Sequence, residues 1–203
     1  MATPLPPRIV FASNNPGKVA EVAAQFSPLG SELIPQSQFN VPAVEETGRT
    51  FVENALIKAR QASTVCGLPA IADDSGLEVD ALHGAPGIRS ARFAGADADD
   101  EANNTLLLEK LADVPDEQRR ARFQCLLVYL RHPDDPTPVI CQGTWEGFIA
   151  RSPRGDNGFG YDPLFYLPRF DCTAAQLPPA EKNRLSHRGQ ALRQLIATLT
   201  DPS

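Results

Sequence analysis

The sequence predicts an α/β protein with a mixed β-sheet flanked by helices. In the first half of the chain, short apolar segments alternate with helical periodicity, which is typical of parallel strands joined by helices. In the second half, two long apolar segments enclose the turn "HPDDPTP" and predict an antiparallel pair of strands. No internal repeat or linker interrupts these patterns, so we expect one domain over residues 1–203.

The composition argues against several classes of protein. Hydrophobic residues make up 42% and charged residues 22% of the chain, as in globular proteins. No apolar stretch reaches the roughly 20 residues that span a bilayer, and no signal peptide is evident, so we expect a cytoplasmic protein without a membrane partner. The net charge of −6 argues against a nucleic-acid partner. The scattered cysteines and histidines argue for reduced thiols and against zinc.

The first predicted strand, residues 8–12, leads into the polar turn "SNNPGK". Asn15 is a suitable N-cap and Pro16 suits a first turn, so a helix is expected from there to about Phe26. Backbone N–H groups at a helix N-terminus bind anions, and Lys18 adds a cation. The turn is therefore a candidate phosphate site, and a capped turn without a ligand is the alternative.

A second strand is expected at "SELIP", followed by a second helix. That helix begins with a capping box formed by Thr50 and Glu53 and ends at Gly67. Residues 68–72 then predict a buried strand that stops at two adjacent acids.

These acids, Asp73 and Asp74, are expected to sit at a tight turn with Ser75 and Gly76. Paired carboxylates at the rim of a sheet suit a hydrated divalent cation and a phosphate. Side chains alternate along a strand, so both acids cannot face one cleft unless the turn has begun. We therefore expect one acid to act on a substrate and the other to support it, and a solvated turn is the alternative.

The later elements include a helix after Asp99 or Asp100 and the strands "RFQCLLVYLR" and "VICQGTWEGFIA". The basic run at residues 119–122 is expected to be a solvated strand start. One continuous final helix is expected after Pro179, with a stripe of core residues that extends to Leu199.

The loop "GDNGFGYDP" combines flexibility with an aromatic ring. Gly158 and Gly160 flank Phe159, so the backbone can approach a ligand closely while the ring offers a stacking surface. Asp162 precedes Pro163 and is expected to be extended. A hairpin-like loop with a buried aromatic ring is the alternative.

The segment "EKNRLSHRGQAL" opens the final predicted helix with Lys182, Arg184, His187 and Arg188. Cations in a first turn oppose the helix dipole, which favours a bound polyanion as the reason for them. Lys182 would share a helix face with Ser186. A solvated basic face is the alternative.

Taken together, the motifs resemble the non-canonical purine NTP pyrophosphatase family, the inosine/xanthosine triphosphate pyrophosphatases. The resemblance covers nearly the whole chain. It rests on five motifs in the family order: "IVFASNNPGK", "EETGRTFVENALIKA", "IADDSGLEVDALHGAPGIRSARFAG", "GFGYDP" and "EKNRLSHRGQAL". Many relatives have Thr-Gly-Asn where this chain has residues 13–15.

The resemblance implies hydrolysis of ITP, dITP and XTP to the monophosphate and pyrophosphate, which cleanses the nucleotide pool. It also implies dependence on Mg²⁺, a homodimer, and an elongated sheet with two lobes around a central cleft. Two alternatives stand beside it: a house-cleaning pyrophosphatase for other modified nucleotides, and a nucleotide-binding sensor without catalysis.

The resemblance also assigns roles to residues. Asp74 is the implied general base with Asp73 beside it, and Asp74 with Glu45 or Glu46 holds the metal. The implied contacts of the triphosphate are Ser13, Asn14, Asn15, Pro16, Gly17, Lys18 and Lys182. The implied nucleotide pocket contains Ser75, Phe159, Gly160, Tyr161, Asp162, His187 and Arg188.

Overall fold

The computed structural model describes residues 5–200, which contain a mixed sheet and five α-helices. The strands are β1 (Arg8–Phe11), β2 (Glu32–Pro35), β3 (Ala70–Val79), β4 (Arg120–Leu130), β5 (Val139–Ile149), β6 (Phe165–Leu167) and β7 (Cys172–Thr173). Their order in the sheet is β2-β1-β3-β4-β5-β6-β7. β1 pairs in parallel with β2 and β3, whereas β6 pairs antiparallel with β5 and β7. The predicted mixed sheet is confirmed.

The helices are α1 (Pro16–Phe26), α2 (Phe51–Cys66), α3 (Asp100–Lys110), α4 (Pro179–Leu185) and α5 (His187–Thr200). The predicted caps are present: Asn15 Oδ1 accepts a hydrogen bond from the Lys18 backbone at 3.1 Å, and Thr50 and Glu53 form their capping box. Within residues 5–200, no helix combines the length and the apolar character that a membrane span requires.

β4 and β5 form the predicted antiparallel pair. Thr144 donates to Gln124 at 2.7 Å, and Arg122 donates to Glu146 at 3.1 Å. Residue 122 on β4 therefore lies opposite residue 146 on β5, and residue 124 lies opposite residue 144. Residue numbers rise along one strand as they fall along the other, which is the antiparallel register.

The chain divides into two compact units, which are described separately. The first contains Met1–Asp74, Cys125–Gln142 and Gln190–Ser203, as far as these are described, and the second contains Ser75–Gln124 and Gly143–Gly189. The single domain expected from the sequence stays a prediction.

In the first unit, the sheet packs helices on both faces. Side chains at alternate positions of β1 and β3 point to opposite faces. One face packs on α1 and α5 in a cluster that includes Ile9, Phe11, Ile71, Val22 and Leu192. The other face packs on α2 in a cluster that includes Val10, Ala70, Ala72, Ala55 and Ala59.

In the second unit, the core is rich in aromatic residues. The ring of Phe165 packs against the rings of Phe123 and Trp145, with centroid distances of 4.5 and 5.3 Å, respectively. Such tilted pairs add to the stability supplied by burial of the rings.

The prediction for Arg119 was wrong. Its side chain is buried, and its guanidinium donates to the backbone carbonyls of Leu111, Ile149 and Ala150 at 2.7, 2.8 and 3.2 Å. Arg119 therefore satisfies buried carbonyl groups instead of meeting solvent.

The prediction of a continuous final helix was also wrong. Ser186 has an extended conformation (φ −64°, ψ 158°), ends α4 and accepts a hydrogen bond on Oγ from the Gly189 backbone at 3.1 Å. A serine that caps the next helix competes with continuation of the first. Lys182 and Ser186 therefore do not share a face of one helix.

The break at Ser186 also changes the interpretation of the basic residues. Lys182 and Arg184 lie in the last turn of α4, where the helix dipole favours cations. Only His187 and Arg188 lie in a first turn, that of α5. The predicted conflict with a helix dipole is therefore smaller than the sequence indicated.

Candidate active site

Asp73 and Asp74 lie inside β3 and not at its end. The strand continues to Val79, so the predicted turn at Ser75 and Gly76 was wrong. Because the strand continues, the two acids point to opposite faces of the sheet. Their contacts agree with this placement: Asp73 pairs with Lys18 of α1, and Asp74 pairs with Lys58 of α2.

Asp73 is the more enclosed of the two acids, at 1% exposure. The Lys18 ammonium binds Oδ1, and the Cys125 thiol donates to Oδ2 at 3.3 Å. Both oxygens therefore have a partner inside the protein. This is the placement expected of a supporting acid.

Asp74 shares a lysine with Glu46. The Lys58 ammonium lies 2.7 Å from Asp74 Oδ1 and 3.2 Å from Glu46 Oε1. The second oxygen of Asp74, Oδ2, is buried and has no hydrogen-bond partner among residues 5–200. Burying a carboxylate oxygen without a partner costs free energy unless a bound ligand interacts with it.

Burial sets the acid–base properties of this pair. It raises the pKa of Asp74 above its ordinary value, and the Lys58 ammonium opposes the rise only in part. Burial alone would lower the pKa of Lys58, but Asp74 and Glu46 outweigh it, so the pKa is raised and the lysine stays charged.

The donor set at Asp74 fits a divalent cation with oxygen ligands. The unpartnered Asp74 Oδ2 and the Glu46 carboxylate are the hard ligands that Mg²⁺ prefers. In the described part of the chain, no three His, Cys, Asp or Glu side chains gather as a complete metal site. Mg²⁺ is usually held by one or two carboxylates together with water and substrate phosphates, so this small set is sufficient.

Of the two glutamates, the structure brings Glu46 to this acid and not Glu45. Glu45 is exposed, whereas Glu46 is partly buried and contacts Lys58. The loop that carries them is fixed to α2, because Asn54 Oδ1 accepts from the Gly48 backbone at 2.8 Å. A Cβ at Gly48 would lie 2.6 Å from that oxygen, so only glycine fits.

The turn at residues 13–18 is held by its own side chains. Ser13 Oγ accepts from the Asn15 backbone at 3.2 Å. Asn14, Asn15 and Pro16 are exposed, and Gly17 is partly buried at the start of α1. This arrangement leaves a helix N-terminus accessible to an anion.

The second unit holds the remaining predicted residues, around the Phe159 loop (residues 158–162). Gly158 and Gly160 have φ values of +80° and +64°, which glycine adopts without strain. Asp162 lies within a turn at residues 160–164, where the sequence predicted an extended residue. Its Oδ2 accepts from the Phe159 backbone at 3.0 Å and from Lys182 Nζ at 2.6 Å. A Cβ at Gly158 would lie 2.1 Å from that oxygen.

Two cations lie over the ring of Phe159. Lys182 Nζ is 4.7 Å and the Arg188 guanidinium 5.6 Å from the ring centroid. Cations within about 6 Å of a ring face are attracted to it. Phe159 is partly buried, so the loop holds an aromatic ring close to two cations.

His187 and Tyr161 are both buried. The His187 ring stacks on Phe123 with centroids 4.7 Å apart and planes at 14°. The Tyr161 hydroxyl donates to the Ser90 carbonyl at 2.8 Å, and burial raises its pKa far above the usual range. Ser75 is partly buried in β3.

Sequence reasoning missed Lys58. The signal was present, because Lys58 lies three residues after Ala55 and four before Ala62, on the apolar face of α2. A lysine on a buried helix face needs an anionic partner. In the structure, that partner is Asp74.

The fold and these two clusters define an α/β protein with buried acid–lysine pairs and a cation-flanked aromatic ring. Its sequence matches the model of the Ham1 family over residues 9–198. The chain belongs to the Ham1 family.

Individual relatives agree with this assignment. The chain is 56% identical over 194 residues to a dITP/XTP pyrophosphatase of Vibrio cholerae, covering 96% of this chain and 97% of the relative. It is 58% identical over 192 residues to a dITP/XTP pyrophosphatase of Thioalkalivibrio sulfidiphilus, covering 95% and 98%. The structure of a Ham1 protein from Coxiella burnetii superimposes with a TM-score of 0.89 at 53% identity, covering 95% of this chain and 98% of that one.

Proposed function

We propose that this protein hydrolyses non-canonical purine nucleoside triphosphates (ITP, dITP and XTP) to the monophosphate and pyrophosphate. The observation that carries the proposal is Asp74, a buried acid with one unpartnered oxygen beside Lys58 and Glu46. The names of the relatives supply the substrate class, because several that are 54–58% identical are called dITP/XTP pyrophosphatase.

Asp74 is the general base of this reaction. Its carboxylate takes a proton from water as the water oxygen bonds to the α-phosphorus. The anhydride bond breaks, and pyrophosphate leaves with the electron pair. Asp73, bound on both oxygens, holds Lys18 in place.

Asp74 and Glu46 would hold Mg²⁺. When bound, Mg²⁺ neutralises phosphate charge and lowers the pKa of bound water. Lys18 and Lys182 supply cations for the phosphate tail, together with the N-terminus of α1.

The Phe159 loop, His187 and Arg188 bind the nucleoside. The Phe159 ring stacks on the purine. N–H donors of His187 or Arg188 suit the 6-oxo group of hypoxanthine and xanthine, whereas the 6-amino group of adenine would leave a buried donor unpaired. Adenine nucleotides are therefore poor substrates.

A panel of nucleoside triphosphates assayed for pyrophosphate release, with and without Mg²⁺, tests this function. We expect dITP and XTP to be turned over well above ATP, and only with the metal. Faster turnover of dUTP or methylated pyrimidine triphosphates would point to another house-cleaning activity. Binding without pyrophosphate release would indicate a sensor.

Asp74→Asn tests the general base directly. We expect kcat to fall by well over tenfold, because a tenfold loss is only about 1.4 kcal/mol and the base contributes about 10²–10⁴-fold. Circular dichroism checks that the fold is retained. A variant that keeps more than about a tenth of wild-type kcat would show that Asp74 is not the base.

The family resemblance supports a homodimer, and the scattered cysteines support a cytoplasmic location. Light scattering tests the first, with a monomer mass of 21.9 kDa as the reference.

A further inference from the structure

One helix binds both polar groups of a single residue in the Phe159 loop. Asp100 Oδ2 accepts from the Gly160 backbone N–H at 2.6 Å, and Asn104 Nδ2 donates to the Gly160 carbonyl at 2.8 Å. Asp100 and Asn104 are four residues apart on α3 and so share one face of the helix. The two side chains together bind the backbone of Gly160 to α3.

The chemistry of the two side chains is matched to Gly160. The carboxylate of Asp100 can only accept and therefore takes the N–H. The amide nitrogen of Asn104 donates to Gly160 and also to the Asp100 carbonyl at 2.7 Å. Asn104 Oδ1 is buried without a hydrogen-bond partner among the described residues, so the amide is used as a donor.

Gly160 needs such support. Its φ of +64° is one of several conformations open to glycine, so the residue does not hold the loop by itself. Its neighbours are fixed elsewhere: the Phe159 N–H binds Asp162, and the Tyr161 hydroxyl binds the Ser90 carbonyl. Without α3, Gly160 would be the pivot between these two fixed residues.

We propose that Asp100 and Asn104 are positioning residues that fix the Phe159 ring for the purine base. They touch neither the reacting atoms nor, in our proposal, the substrate, and they act through Gly160. This inference rests on the proposed function, because it assumes that Phe159 stacks on the base. It adds α3 to the elements that set affinity for the nucleoside part of the substrate.

The test compares variants that change hydrogen bonding with little change of shape. Asn104→Asp is nearly isosteric but faces the Gly160 carbonyl with a carboxylate that cannot donate. Asp100→Ala removes the acceptor, and Asp100→Asn restores an acceptor oxygen. Glu101→Ala is the matched control, because it removes an exposed carboxylate from the same turn of α3.

We measure binding of dIMP by calorimetry and the inhibition constant of pyrophosphate. Asn104→Asp and Asp100→Ala are expected to weaken dIMP binding by about tenfold, the effect of losing one charge-assisted or partly buried hydrogen bond. Asp100→Asn should recover most of the loss, and Glu101→Ala should match wild type. The pyrophosphate constant should not change, because pyrophosphate has no base, and KM for dITP should rise while kcat stays near wild type.

Coupling between the two side chains gives a second measurement. If both act through Gly160, the double variant should lose less than the product of the single losses. Melting temperatures check that each variant is folded.

Two results would overturn the inference. Unchanged dIMP binding in Asn104→Asp and Asp100→Ala is the first. An equal weakening of pyrophosphate and dIMP is the second, because it would indicate a general structural effect. Calorimetry with dIMP does not need turnover, so failure of wild type to hydrolyse dITP would overturn the proposed function alone.

Discussion

At the residue scale, each of the two adjacent acids of β3 has its own lysine. Asp73 pairs with Lys18 and Asp74 with Lys58, on opposite faces of one strand. A buried carboxylate without a cation is strongly destabilising, so the lysines are as necessary to the resting enzyme as the acids. The pairing also keeps Asp73 occupied within the protein, while Asp74 retains one oxygen for chemistry.

Lys58→Met tests this pairing. The substitution leaves Asp74 and Glu46 without the ammonium group that both contact. We therefore expect the free energy of unfolding to fall by about 1–3 kcal/mol. The loss falls short of that for a fully buried pair because the Lys58 side chain is 16% exposed. Urea denaturation measures the stability, and pyrophosphate release should fall in parallel.

Arg60→Met is the control, since Arg60 is an exposed cation on the same helix. It should change stability by less than about 0.5 kcal/mol. Equal stability of the Lys58 and Arg60 variants would show that the ion pair with Asp74 contributes nothing in solution.

At the element scale, the turn between β4 and β5 depends on one buried acid. Asp135 is 1% exposed and accepts hydrogen bonds from the Arg131 guanidinium and from the Arg131 and Thr137 backbones at 2.5–3.0 Å. The bonds from Arg131 are the main reason that the pKa of Asp135 lies far below its usual range. The turn is therefore stabilised by an ionised carboxylate.

Asp135→Asn should destabilise the protein by about 1–3 kcal/mol at pH 7, because a charged acceptor becomes a neutral one. A carboxylate with a lowered pKa stabilises the fold above its unfolded value of about 3.9 and loses that effect as pH falls below it. The difference between wild type and variant should therefore shrink between pH 5 and the acid limit. Asp134→Asn, at an exposed neighbour, is the matched control and should change stability at pH 7 by less than about 0.5 kcal/mol.

The elements also show where sequence patterns were sufficient. Apolar periodicity and caps predicted α1, α2 and the β4–β5 pair, because these depend on local spacing and on neighbouring turns. The patterns failed at Ser75, where a turn-like tripeptide stays in β3, and at Ser186, where a cap interrupts apparently continuous helical periodicity. Tertiary packing decides the first case and cannot be predicted from local propensity, whereas at Ser186 a local cap competes with helix continuation.

The same limit applies to the candidate site. The motifs pointed to Asp74, Lys18 and the Phe159 loop, since acids, cations and glycines are visible as residue types. They did not reveal that Lys58 joins Asp74 to Glu46, because residues distant in sequence meet only when α2 packs on the sheet. The contacts of Asp100 and Asn104 with Gly160 span 56–60 positions and were missed for the same reason.

At the scale of the whole molecule, the proposed function requires an acidic chain with a net charge of −6 to bind a polyanion. Local cations make this possible, because the field near a site depends on nearby charges more than on the net charge. Each of four cations is held by a contact within its own unit: Lys18, Lys58, Lys182 and Arg188. Folding therefore has to fix each cation within its own unit before a polyanion can bind.

Ligand binding should consequently stabilise the whole fold. At a free dIMP concentration of about 100 times its Kd, linkage adds about 2.7 kcal/mol to the free energy of unfolding. For a chain of this length, that corresponds to a rise in Tm of about 5–10 °C in a thermal shift assay. The matched control is dAMP, which differs in the 6-substituent of the purine and should raise Tm little, because its amino group cannot accept from the donors at His187 and Arg188. Equal shifts with dIMP and dAMP would show that the molecule recognises the phosphate and sugar but not the base, and selectivity for hypoxanthine would then have to arise after binding.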